Sequence, residues 1–249
     1  MIPALRNRIA AALALLALLP ATRVAAADHP AVAREMAGVW LPDSRSSGRL
    51  PQRWPLNAAA QQAADRYQEK YGPVDPVVDD ANISCLPEPH PYSMRLIAQY
   101  PMEILFTPRQ VTFFFEVYGG IRRIYFDQKR DDDFLPSVMG HSTGHWEGDT
   151  LIVETTHIRK EGIGRFSGNP PISAARRIVE KISLGKDSQG RKQLRNEMTI
   201  EDKVVLTTPV TMVMFYKWSP DIEVGEYLCQ QDIWDQNLQG SPSSVPWRQ

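Results

Sequence analysis

Between Val111 and Val117 the chain alternates strictly: Val111, Phe113, Phe115 and Val117 are apolar at every second position, with Thr112, Phe114 and Glu116 between them. Side chains two residues apart share a face only in an extended chain, so this run is a strand. Similar runs occur at Met102–Phe106, Ile121–Phe126, Ile178–Leu184, Leu194–Glu201, Val210–Trp218 and Glu223–Cys229. Turn residues separate them, at Thr107-Pro108-Arg109, Gly119-Gly120, Asp187-Ser188-Gln189-Gly190 and Ser219-Pro220-Asp221. Regular turn spacing between alternating strands predicts a mainly β fold, an antiparallel meander forming a barrel or a sandwich. One helix precedes it: Asn57 caps a stripe through Ala60, Ala63, Ala64, Tyr67 and Tyr71, and Gly72-Pro73 stops it.

The ends bound the compartment. Arg6 and Arg8, the apolar run Ile9–Leu19 and Ala25-Ala26-Ala27 before Asp28 read as a cleavable export signal over residues 1–27. The apolar run is about half of the ~20 residues a spanning helix needs, and no later segment is long and apolar enough. The expected organisation is one β-rich domain over 28–235, placed in the periplasm or outside the cell, then a loosely held polar tail over 236–249. With 28 basic and 29 acidic residues the chain is nearly neutral, which argues against nucleic acid as a partner. Arg122-Arg123 and Arg176-Arg177 read as solvated strand edges. Cys85 and Cys229 are the two cysteines, and an even count in an oxidising compartment predicts a disulfide between them. No cofactor motif is found.

Gly140-x-Ser142-x-Gly144 matches the nucleophile elbow of α/β-hydrolases. That elbow requires a helix after the serine. Here Glu147-Gly148-Asp149 makes a turn and Thr150–Thr156 makes a strand, so a hairpin replaces it. On the hairpin His141, Thr143 and His145 share a face, and a two-residue turn brings Glu154 opposite His141 or Thr143. A histidine oriented by a carboxylate is a general base near neutral pH. His141, Glu154 and His145 are therefore the candidate catalytic groups. Histidines four apart on a strand are about 13 Å apart, too far to chelate one ion, so no metal is expected. On the neighbouring hairpin, a two-residue Gly119-Gly120 turn pairs Glu116 with Arg123 and Phe114 with Tyr125. That face is either the solvent side or the wall of a cavity, where Glu116, Arg123, Tyr125, Phe114 and Trp146 would hold a ligand.

Two resemblances add expectations. Gly38-x-Trp40 resembles the first-strand signature of lipocalins and other calycins, which implies a barrel. Tyr100-Pro101-Met102-Glu103-Ile104, Arg122-Arg123-Ile124-Tyr125 and the stretch Gly140-His141-Ser142-x-Gly144-x-Trp146-Glu147-Gly148-Asp149-Thr150-Leu151 resemble a family of exported bacterial proteins of unassigned function. Thr199-Ile200-Glu201-Asp202 and Glu226-Tyr227-x-Cys229 extend the likeness. It implies no catalytic residues, and it leads one to expect an arginine where His145 stands, which leaves His141 as the better candidate. The expected function is a barrel that binds a small apolar or aromatic molecule. The alternatives are a cofactor-independent lyase, isomerase or hydrolase using the His/Glu pair, and an envelope-interaction role.

Overall fold

The computed structural model describes residues 29–48, 51, 53–71, 90–95, 100–126, 135–159 and 172–227. Short helix α1 (Ala31–Met36) leads into β1 (Gly38–Pro42), and α2 (Ala58–Tyr71) and α3 (Tyr92–Arg95) lie between β1 and the remaining strands. These are β2 (Met102–Thr107), β3 (Gln110–Phe115), β4 (Gly120–Tyr125), β5 (His141–Glu147), β6 (Thr150–Thr156), β7 (Arg177–Lys186), β8 (Lys192–Glu201) and β9 (Val210–Trp218). All nine strands form one closed barrel in chain order. No helix among the described residues is long and apolar enough to cross a membrane.

The alternation that marks each strand in the sequence is the alternation of burial around the barrel. Phe113 and Phe115, Leu151 and Val153, Ile178 and Ile182, and Met212 and Met214 are buried, while their neighbours are partly or fully exposed. Each large apolar side chain moved inside contributes roughly 1.5–3 kcal/mol. The predicted α2 forms as expected: the Asn57 carboxamide oxygen accepts from the Ala60 N–H at 2.9 Å, a helix N-cap.

Three sequence expectations change. The β3–β4 connection is not a Gly119-Gly120 turn, because Phe115 pairs with Gly120 and Glu116–Gly119 form a longer loop around a 3-10 turn. The register moves by whole pleats, so Thr112 rather than Glu116 faces Arg123 and Gln110 rather than Phe114 faces Tyr125, yet each residue keeps its face. The meander has one parallel step, β4 to β5, made through Ile124–Ser142 and Tyr125–Thr143. Glu223–Tyr227 carries no strand, since β1 already pairs with β9 and leaves no edge to extend. That segment instead folds back on the β3–β4 loop, where the Gly225 N–H donates to the Glu116 carboxylate at 2.7 Å. Cys85, Cys229 and the 236–249 tail lie outside the described residues.

The seam of the barrel is aromatic. Trp40 on β1 pairs with Trp218 on β9, their rings 5.0 Å apart and edge to face. The Lys192 ammonium caps both, 3.8 Å from the Trp218 ring centre and 5.4 Å from that of Trp40. Gly38 has φ +114°, and a methyl group there would lie 2.6 Å from the Trp218 ring. Gly38→Ala therefore combines backbone strain with a clash, at about 1–3 kcal/mol. Thermal unfolding should show a drop of roughly 2–12 °C; an unchanged midpoint would contradict this account of the seam.

Candidate functional site

The closed barrel encloses charge. Arg122 on β4 and Glu180 on β7 are 1 % and 0 % exposed, as are Ser142, Thr155, Asn196 and His90 at 0 %. Each strand residue sits at an inward position between apolar neighbours: Arg122 precedes Ile124 by two, Glu180 lies between Ile178 and Ile182, and Asn196 between Leu194 and Met198. The guanidinium grips the carboxylate with both ends, NH1 to Glu180 Oε1 at 3.1 Å and NH2 to Oε2. Its Nε donates to Ser142 Oγ at 3.2 Å and NH2 also donates to Thr155 Oγ1 at 2.9 Å. Asn196 Nδ2 donates to Glu180 Oε1 at 2.8 Å. The Phe113 ring centre lies 5.8 Å from the guanidinium carbon.

His90 completes the group from above. It precedes α3, its backbone N–H donates to the Val138 carbonyl at 3.2 Å, and its Nε2 lies 3.3 Å from Glu180 Oε2. The contact is within ion-pair reach but lacks hydrogen-bond alignment. Met94 and Ser93 are buried beside it, and the Tyr216 hydroxyl donates to the Met94 carbonyl. This turn closes one end of the barrel. Against it lies a crevice lined by Ser93, Met94, Met102, Phe115 and Tyr216, with room for about one water molecule.

The protonation states follow from burial and charge. Burial, followed by the Arg122 charge, pushes the His90 imidazole down to about 4, against a smaller opposing pull from Glu180. Burial alone would raise the Glu180 carboxyl, but the Arg122 charge outweighs it and holds the group well below the carboxylate range. Burial and the Glu180 charge push the Tyr216 phenol up. At neutral pH the network is thus a Glu180 anion, an Arg122 cation, a neutral His90 and a neutral Tyr216.

The residues singled out in the sequence mostly lie elsewhere. The β5–β6 turn is Gly148-Asp149, as one of the two expected registers requires, with Thr143 opposite Glu154 and His141 opposite Thr156. The pleat turns that shared face outward: Ser142, Gly144, Leu151, Val153 and Thr155 are the buried partners. Glu154 accepts from Arg177 NH2 at 2.6 Å, and Arg177 NH1 reaches Glu201 at 3.1 Å. His145 is 65 % exposed, its Nε2 3.2 Å from Glu147. His141 is half-buried and stacks on Tyr125, ring centres 5.5 Å apart; burial and then His157 push its imidazole down. Arg123 is exposed and Phe114 is half-buried on the outer face. Glu116 sits in the β3–β4 loop. Of the candidates, His141 and Tyr125 are brought together, and Trp146 lies on the inward face at the barrel's other end.

Arg122 and Arg176 are corrections to the expectation of solvated edges. Arg176 is buried against Asp202, Nε to Oδ2 at 3.1 Å, while Arg177 forms the outer ion pairs. Asp202 also accepts from the Ser173 N–H and hydroxyl at 3.0 and 2.6 Å, a cluster that fixes the approach to β7. No family model matches this chain, and no curated protein matches it.

Proposed function

We propose that this chain is an exported β-barrel that binds a small, mainly apolar or aromatic molecule beneath the His90–Arg95 turn. One observation carries the reading. His90 Nδ1, Ser93 Oγ and Asn196 Oδ1 are buried and have no hydrogen-bond partner among the described residues. Such groups each cost about 1–3 kcal/mol when left unmatched; Ser93 lines the crevice with Met102, Phe115 and Tyr216, while His90 and Asn196 both lie against Glu180. A flat apolar body carrying a hydroxyl or N–H group matches that mixture of surfaces, and seating it requires the crevice to widen beyond its present room for one water molecule. The Arg122–Glu180 pair fixes the floor, since burying two charges adds little to stability and is retained for what it orients. The export signal and the Trp-Glu-Gly-Asp-Thr-Leu signature belong to the same proposal.

A cofactor-independent lyase, isomerase or hydrolase is the second reading, favoured by His90 standing beside Glu180. Its difficulty is chemical. An imidazole that gains its proton only near 4 is a weak base at neutral pH, and a carboxylate locked to Arg122 is a poor acid. Binding is the better use of this geometry.

The test is a thermal-shift panel of small phenols, indoles and aromatic alcohols on the whole protein, with native mass spectrometry of what co-purifies. A true ligand at a hundred times its Kd adds about 2.7 kcal/mol, several degrees in Tm. Ser93→Ala leaves the fold untouched and should reduce that shift. A panel in which no compound moves the wild-type midpoint, or a Ser93→Ala variant and an Asn196→Leu variant that both bind as well as wild type, would overturn the proposal.

A further inference from the structure

The barrel's opposite end is aromatic, and it already holds a ring. Phe106 on β2, Phe126 just past β4 and Trp146 on β5 face inward there. Trp146 lies nearly parallel to both, 6.1 Å from Phe106 at 24° and 6.4 Å from Phe126 at 12°. His29, which precedes α1, presents its imidazole edgewise to this wall, 4.6 Å from Phe126, 5.4 Å from Phe106 and 6.3 Å from Trp146. Edge-to-face approach is the favoured meeting of aromatic rings.

Both imidazole nitrogens are matched. The Trp146 indole N–H donates to His29 Nδ1 at 3.2 Å, and His29 Nε2 donates to the Thr107 carbonyl at 2.7 Å. This pattern requires the tautomer with the proton on Nε2. One donor and one acceptor, both belonging to the barrel, thus stand where the two nitrogens of a five-membered ring fall. His29 takes part in no strand pairing, and it reaches the wall from 78 residues before Thr107 and 117 before Trp146.

We propose that the mouth formed by Phe106, Phe126, Trp146 and the Thr107 carbonyl is a binding slot for a flat nitrogen heteroaromatic ring of the imidazole class, which His29 fills as a built-in occupant. A tethered ring competes at an effective concentration in the millimolar range, so a free ligand must displace it. The slot is separate from the site beneath His90, and it stands or falls independently of that reading.

The experiment uses full-length His29→Gly, with the Trp146 indole N–H resonance assigned by comparison with Trp146→Phe. Imidazole should shift and saturate that resonance at least ~10-fold more readily than in wild type. N-methylimidazole, which cannot donate to Thr107, should bind more weakly, and benzene should leave the resonance in place. A folded His29→Gly protein that ignores imidazole, or takes benzene equally well, overturns the proposal. Should that variant fail to fold, wild type supplies the readout. There, imidazole at tens of millimolar must displace the His29 ring, seen in its own resonances, and no displacement overturns it equally.

Discussion

Arg122→Met should lower the stability of the barrel by about 3–5 kcal/mol, because it leaves Glu180 charged and unpaired in the core. For a chain of this size that is roughly 6–20 °C in Tm. Three acceptors each lose one donor together: Glu180, Ser142 Oγ and Thr155 Oγ1. The double variant Arg122→Met/Glu180→Leu should recover much of the loss, since it removes both charges and replaces them with apolar volume. Glu180→Leu alone should be as damaging as Arg122→Met alone. Chemical denaturation of the four proteins decides the matter. Additive single effects, with the double variant worst of all, would mean that the two residues do not act as a pair.

The second large effect is loss of stability in acid. His90 titrates near 6.5 when unfolded and near 4 in the barrel. As pH falls through that window the unfolded chain takes up a proton that the native chain does not, so unfolding is favoured. The lowered value therefore gives stability that is fully present above about pH 6.5 and is lost toward pH 4, by roughly 3 kcal/mol. Glu180 acts in the same sense at lower pH: its carboxyl is depressed from 4.5 in the fold, so its contribution fades as pH drops below that value. His141, also lowered, adds a smaller slope of the same sign. Free energies of unfolding measured from pH 7.5 to 4 should fall steeply in wild type and much less in His90→Gln. Parallel curves for the two proteins would exclude His90 as the source.

The fold was legible because the barrel's burial period equals the sequence's apolar period. Leu151 and Val153, or Ile178 and Ile182, mark the inner face without help from tertiary structure. The same parity carried the signal for the buried charges. With Phe113, Phe115, Ile124 and Phe126 read as core, Arg122 falls on that face by counting two back from Ile124. Glu180 and Asn196 follow by the same count on β7 and β8. Residue type argued the other way, since an arginine pair looks solvated and a charged residue inside a barrel is rare. On β5 and β6 the histidines and Glu154 suggest a functional face, although Leu151 and Val153 are more apolar than Ile152 and Glu154 together, and so belong inside. His90 gave no such signal. It lies in a proline-rich stretch without periodicity, and only the closed barrel shows that it meets Glu180 from 90 residues away in sequence. In the β3–β4 loop Gly119-Gly120 has hairpin chemistry, yet Tyr118 at φ 57° and Gly119 at φ 57° spread the reversal over a longer turn.

We propose that the ligand is held in the barrel's interior and not on the histidine face of the β5–β6 hairpin. The most direct measurement is isothermal titration, with any compound that stabilises the wild-type protein, into Asn196→Leu and into His141→Ala/Glu154→Gln. Binding lost in Asn196→Leu and retained in the hairpin variant is the predicted result. Binding retained in Asn196→Leu and lost in the hairpin variant would contradict it.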